Sequence, residues 1–90
     1  MKKEWIKIIS KMVGNLDDIS QIKCPNCGEC KLDYRYIGDE KTRIGFLQMW
    51  CNKCLKGIYI SRVVAPEKAK FLSFDDELEG IIPNYDFIED

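Results

Sequence analysis

The chain has no histidine. That absence removes the commonest general base and the side chain that changes charge near neutral pH. It also deprives any nucleophilic cysteine of its usual activating partner. Long hydrophobic runs are missing too. No stretch of about 18 apolar residues occurs, so no segment is expected to span a membrane. The opening residues Met1-Lys2-Lys3-Glu4-Trp5 lead into alternating apolar and charged positions, so no secretory signal is expected. The thiols then belong in a reducing, cytoplasmic compartment, where cysteine pairs read as metal ligands rather than disulfides. Charge of one sign is also scarce, the formal net charge being -1. Finally, size is lacking. A chain of 90 residues is expected to form one small domain. Such a chain buries only about 60 % of its unfolded surface, which leaves its core marginal.

Five cysteines are present, and four of them form two CxxC steps. Cys24-Pro25-Asn26-Cys27-Gly28 is the first, and Cys51-Asn52-Lys53-Cys54 is the second. Four thiolates in two such steps are the ligand set of a closed tetrahedral zinc site. Cys24, Cys27, Cys51 and Cys54 are therefore the expected ligands of one structural Zn²⁺. Its binding energy, roughly 10–16 kcal/mol in zinc-finger peptides, supplies what the core lacks. Iron takes the same ligands and is the competing metal. Cys30 is the odd thiol; Cys27-Gly28-Glu29-Cys30 is a further CxxC, so Cys30 is either a bystander or an exchange ligand.

A Cys₄ site leaves no open position for an activated water. The carboxylate pairs Asp17/Asp18, Asp39/Glu40 and Asp75/Asp76 read as turn or surface charges. The chain is expected not to be an enzyme.

Charge divides the chain. Residues 21–64 hold eight Lys/Arg against four Asp/Glu, net +4. Residues 65–90 hold two lysines against eight carboxylates, net -6. Within residues 1–20, Trp5, Ile8, Ile9, Met12, Val13 and Leu16 recur at helical spacing, and Gly14-Asn15 is a stop signal. Strands are expected over residues 32–37, 43–50 and 57–64, with Gly38-Asp39-Glu40-Lys41 as a turn and Pro66 ending the pairing. Pro66 to Lys70 suits the start of a short helix. The expected architecture is thus a small metal-bound α+β domain spanning 1–90. It comprises an N-terminal amphipathic helix (1–20), a three-stranded antiparallel zinc ribbon (21–64) and an acidic C-terminal extension (65–90).

The Cys24-Pro25-Asn26-Cys27-Gly28 segment resembles the rubredoxin-type knuckle of the zinc ribbon superfamily. The second knuckle departs from it: Leu55 follows Cys54, and glycine comes only at Gly57. Asp39-Glu40 at the hairpin tip resembles the acidic pair on the ribbon of transcript-cleavage factors, where the carboxylates help hold a metal in the polymerase. Tyr34 to Tyr36, Thr42-Arg43-Ile44-Gly45 and Trp50 to Ile58 look like a group of small bacterial zinc-ribbon proteins, some of them companions of secreted toxins. That likeness implies an immunity or inhibitor protein that binds a protein partner. The expected binding residues are Tyr34, Arg35 and Tyr36 on the first strand, and Asp75, Asp76, Glu77 and Glu79 in the acidic run. The alternative is a nucleic-acid-binding or transcription-associated ribbon, carried by the net +4 segment and the Tyr34-Arg35-Tyr36 interleaving.

Overall fold

A computed structural model describes residues 2–16, 19–76 and 80–88. Helix α1 runs over Lys2–Gly14. Its apolar spacing seats Trp5, Ile8 and Met12 in the core, with Ile9 and Leu16 packed at the margin. Val13, expected on the same stripe, is exposed. The helix stops where Gly14-Asn15 predicts. Asn15 N donates to Met12 O at 2.9 Å, and Asn15 Nδ2 donates to Lys11 O at 3.0 Å. The Asn15 side chain thereby satisfies a carbonyl that the last helical turn leaves unpaired.

Five strands follow: β1 Leu32–Gly38, β2 Ile44–Cys51, β3 Lys56–Val64, β4 Phe71–Ser73 and β5 Asp86–Phe87. The sheet order is β4-β1-β2-β3-β5. β1, β2 and β3 form an antiparallel meander, in register from Leu32↔Cys51 to Gly38↔Gly45 and from Trp50↔Gly57 to Ile44↔Val64. β4 then pairs parallel with β1, and β5 pairs parallel with β3. The sheet is therefore mixed and five-stranded, which corrects the expected three-stranded antiparallel ribbon. The cause is non-local. Pro66 ends β3, but the chain turns back through Ala69 N to Pro66 O (3.1 Å) and lays Phe71 beside Tyr36. The residues after Pro66 make this turn instead of a helix. Strands of three and two residues are too short to show an alternation in sequence.

The two sheet faces differ. Leu32, Tyr34, Tyr36, Leu47, Met49, Cys51 and Ile58 share one face, and α1 packs there. Trp50 points the other way and is also fully buried. Its cover is Tyr85, stacked on it at 5.9 Å. The Tyr85 hydroxyl donates to Gln48 Oε1 at 2.7 Å. The acidic extension is thus built into the sheet on both edges and over its second face. Trp5 Nε1 is buried with no hydrogen-bond partner among the described residues. An orphan donor of this kind costs about 1–3 kcal/mol, so apolar burial of the rest of the indole must outweigh it.

One bulge interrupts the β2–β3 ladder beside Gly45/Phe46. The extra residue is Arg62, held at φ 59. A bulge on the outer strand of the meander twists that edge and discourages strand addition.

Candidate metal centre

Each CxxC step closes the same turn. In the first knuckle Gly28 N donates to Cys24 O at 2.8 Å, and Asn26 N donates to Cys24 Sγ at 3.3 Å. In the second, Leu55 N donates to Cys51 O at 2.9 Å, and Lys53 N donates to Cys51 Sγ at 3.4 Å. Cys24 N reaches Glu29 O at 2.8 Å, and Asn52 N reaches Lys31 O at 2.8 Å, which ties both turns to the chain entering β1. The second knuckle starts on the last residue of β2, opposite Leu32.

The four sulfurs converge. Cys24, Cys27, Cys51 and Cys54 place their Sγ atoms within 4.8 Å of one another. The cross-knuckle separations are 3.8 Å for Cys24–Cys54 and 3.6 Å for Cys27–Cys51. A tetrahedron with metal–sulfur bonds of about 2.3 Å has edges of about 3.8 Å. The group therefore fits one metal ion held by four thiolates, in keeping with a zinc ribbon. Cys30 is exposed and does not join the group among the described residues.

Burial grades the four ligands. Cys24 and Cys51 are buried, Cys54 is half-buried and Cys27 is exposed. Burial pushes the Cys24 thiol up to about 12. Burial also raises the Cys51 thiol. At Cys54 burial acts in the same upward sense, but hydrogen bonds from the Asn26 side chain, the Lys56 backbone and the neighbouring thiols outweigh it and hold the group at about 7. A bound metal requires all four as thiolates. An unfolded thiol keeps its proton below about 8.5, so unfolding with metal loss takes up protons. Metal-bound stability is then highest above that value and is lost as the pH falls from about 8. The expected outcome is metal affinity that weakens on acidification, with proton release on binding near neutral pH. Calorimetry in buffers of different ionisation heat measures that release, and buffer-independent heats would contradict it.

Both turns end on a left-handed residue. Gly28 lies at φ 80 and Leu55 at φ 55. Leu55 thus occupies the position that glycine fills in the first knuckle, in a conformation costing a non-glycine residue about 1–2 kcal/mol. Leu55 is 43 % exposed, so packing offsets only part of that cost. Leu55→Gly is expected to stabilise the metal-bound protein by about 0.5–1 kcal/mol after the added chain entropy of glycine. Denaturant midpoints compare the two proteins, and a lower midpoint for the glycine variant would refute the strain.

The expected binding residues are scattered. Tyr34 and Tyr36 are buried, their rings meeting edge to face at 6.0 Å, so neither offers a surface for a stacking partner. Tyr34 Oη accepts from Lys70 N at 3.1 Å. Arg35 alternates to the opposite face of β1, half-buried, and pairs with Asp33 at 2.8 Å. Asp75 and Asp76 are exposed beside β4, where Asp76 Oδ2 accepts from Ser73 N at 2.8 Å. Glu77 and Glu79 lie outside the described residues, as do Asp17 and Asp18. At the hairpin tip, Asp39 Oδ1 accepts from Lys41 N and Thr42 N at 2.8 and 3.0 Å, so this carboxylate closes its own turn. Hydrogen bonds from Thr42 and Lys41 hold its carboxyl below the usual carboxylate range. Arg43 is spent internally: Nε donates to Ala65 O at 3.1 Å, Nη2 to Pro66 O at 2.6 Å, and Cζ sits 4.6 Å from the Phe71 ring centre.

The aromatic surface that sequence reasoning missed lies on the second face. Phe74, Phe46, Tyr59, Phe87, Tyr85 and Trp50 form an unbroken series of ring contacts, with centroids 5.0–6.3 Å apart. Tyr59, Phe74 and Phe87 are 44 %, 61 % and 60 % exposed. The available signal was in β2, where Phe46, Gln48 and Trp50 alternate opposite the core residues Leu47 and Met49. Phe74 and Phe87 reach this face only through the return of the C-terminal extension. Family models, curated proteins and solved structures compared with this chain yield no match.

Proposed function

We propose that the four cysteines hold one structural zinc ion, and that the chain is a non-catalytic, cytoplasmic zinc-ribbon protein that binds a protein partner, as an immunity or inhibitor protein does. The observation carrying this reading is the exposed aromatic series on the second sheet face. A small protein rarely leaves several rings contiguous and half open to solvent without a partner surface to cover them. Aromatic residues are also the anchors of most protein interfaces. The lack of histidine and a four-sulfur site with no open position support a non-catalytic role. Thiolate ligands with no electron-transfer context favour zinc over iron. Co-purification on the tagged, metal-loaded chain from its native host tests the reading. The expected result is a protein partner in fixed proportion that survives nuclease treatment. Recovery of nucleic acid without protein would sink it.

Nucleic-acid binding keeps one supporting observation, since exposed rings can stack bases. Of the two features that point to it, the net +4 segment and Tyr34-Arg35-Tyr36, the second has both tyrosines buried. Of the exposed rings, Phe74 is followed by the exposed carboxylates of Asp75 and Asp76. These would repel a phosphate backbone.

A further inference from the structure

We infer that the aromatic series Phe74–Phe46–Tyr59–Phe87 is a docking strip for an arginine-bearing segment of the partner protein. The inference rests on the protein-binding reading and narrows it to one face and one chemistry. Geometry supplies the first half. Neighbouring centroids are 6.3 Å (Phe74–Phe46), 5.0 Å (Phe46–Tyr59) and 6.3 Å (Tyr59–Phe87) apart, so the rings make a continuous track on the solvent side of β2 and β3. Interplanar angles of 34–52° leave the rings tilted against one another, not stacked flat. Tilted, partly open faces accept planar groups laid against them. The inner end is already closed by Tyr85 on Trp50, so the track is open only over its outer rings.

Charge supplies the second half. The Phe74 end of the strip is acidic, with Asp75 and Asp76 following Phe74 and both exposed. The whole stretch from residue 65 onward carries eight carboxylates against two lysines. One of those lysines, Lys70, is drawn to Asp33 at 3.2 Å and lies 5.5 Å from the Tyr34 ring centre, away from the strip. An aromatic track with carboxylates at its Phe74 end selects a ligand that is flat, cationic and able to bind a carboxylate with two parallel donors. The guanidinium has all three properties, while an ammonium lacks the plane and the fork. Opposite fields would also steer the encounter. The open outer edge of β3 is a poorer candidate, because the left-handed bulge at Arg62 kinks it.

Titrating the metal-loaded, isotope-labelled protein with short peptides tests the strip. The probes are an arginine–glycine peptide, a lysine–glycine peptide of equal charge, a glutamate–glycine peptide and an oligothymidylate. The expected result is binding of the arginine peptide at near-physiological salt, with shifts centred on Phe46, Tyr59, Phe74 and Phe87. The lysine peptide should bind several-fold more weakly. A Phe74→Ser/Phe87→Ser double variant should lose at least about tenfold in affinity with unchanged melting, because both rings lie outside the core. An Ile6→Ser/Val13→Ser control on the exposed side of α1 should bind as the parent does. Equal binding by the double variant, shifts confined to α1, equal affinity for lysine, or no binding of the arginine peptide would each overturn the strip. Any of these leaves co-purification of a protein partner standing. Tight oligothymidylate binding on the same rings would overturn both the strip and the protein-binding reading.

Discussion

Cys51→Ser is expected to abolish the cooperative melting transition and the bound metal together. Cys51 has no solvent exposure, ends β2, and sits 3.6 Å by sulfur from Cys27 across the knuckles. Its carbonyl and its sulfur each accept a backbone N–H from the turn it opens. A serine there removes one of four thiolates and leaves a buried hydroxyl facing three sulfurs. Metal binding in small zinc domains amounts to about 10–16 kcal/mol, as large as the whole stability of a typical domain at about 5–15 kcal/mol. Losing even half of the first exceeds what a chain of this size holds in reserve. Strong chelation of the parent protein should give the same unfolded spectrum. Cys30→Ser supplies the contrast, since that thiol is exposed and outside the sulfur group, and it should melt as the parent does. Circular dichroism with metal analysis measures both; a chelated protein that melts unchanged would remove the structural role of the site.

Gly57→Ala is expected to cost about 2–3 kcal/mol and to lift Tyr85 from Trp50, without touching a ligand. A methyl at Gly57 would clash with Met49 O, lie 2.8 Å from Trp50 Cα and 2.8 Å from Tyr85 Cδ2. Two of those neighbours are backbone, so relief must come from moving β2 or from expelling the Tyr85 ring. On its other side Gly57 O accepts from Ile88 N at 2.8 Å, which pins β5. The same substitution therefore loosens the C-terminal return as a whole. Tyrosine titration reports this separately from stability. Burial pushes the Tyr85 phenol from 10.0 up to about 12. A raised value means the neutral form is favoured in the fold, so its contribution is complete below pH 10 and is lost as the pH rises towards 12. In Gly57→Ala the phenol should titrate closer to 10, and the parent should release its C-terminal segment only in strong alkali. An unchanged Tyr85 titration in the variant would show that the ring has room beside a methyl.

Much of the metal centre was legible in the residues. Two CxxC steps constrain their own local turns, and the turns point the sulfurs inward whatever the rest of the chain does. The helix was legible for the same reason, since Trp5, Ile8 and Met12 recur within a few turns and Asn15 caps where it stands. The three central strands followed from alternation and from the Asp39 turn. In the second knuckle Leu55 gives no hint of the left-handed turn that the bond from Leu55 N to Cys51 O imposes on it.

The amino-acid order by itself determined the two CxxC turns, the helix and the antiparallel meander, because each depends on contacts between residues close in the chain or on a repeating period. Tertiary structure alone decided where the last 26 residues go, from Ala65 to Asp90. Among those described, a three-residue strand joined β1, a two-residue strand joined β3, and Tyr85 closed over Trp50. Pairings this short carry no periodic signal; burial of Trp50 and open hydrogen-bonding groups on both sheet edges select them only once the meander exists. That choice set Phe74 beside Phe46 and Phe87 beside Tyr59 on the second face.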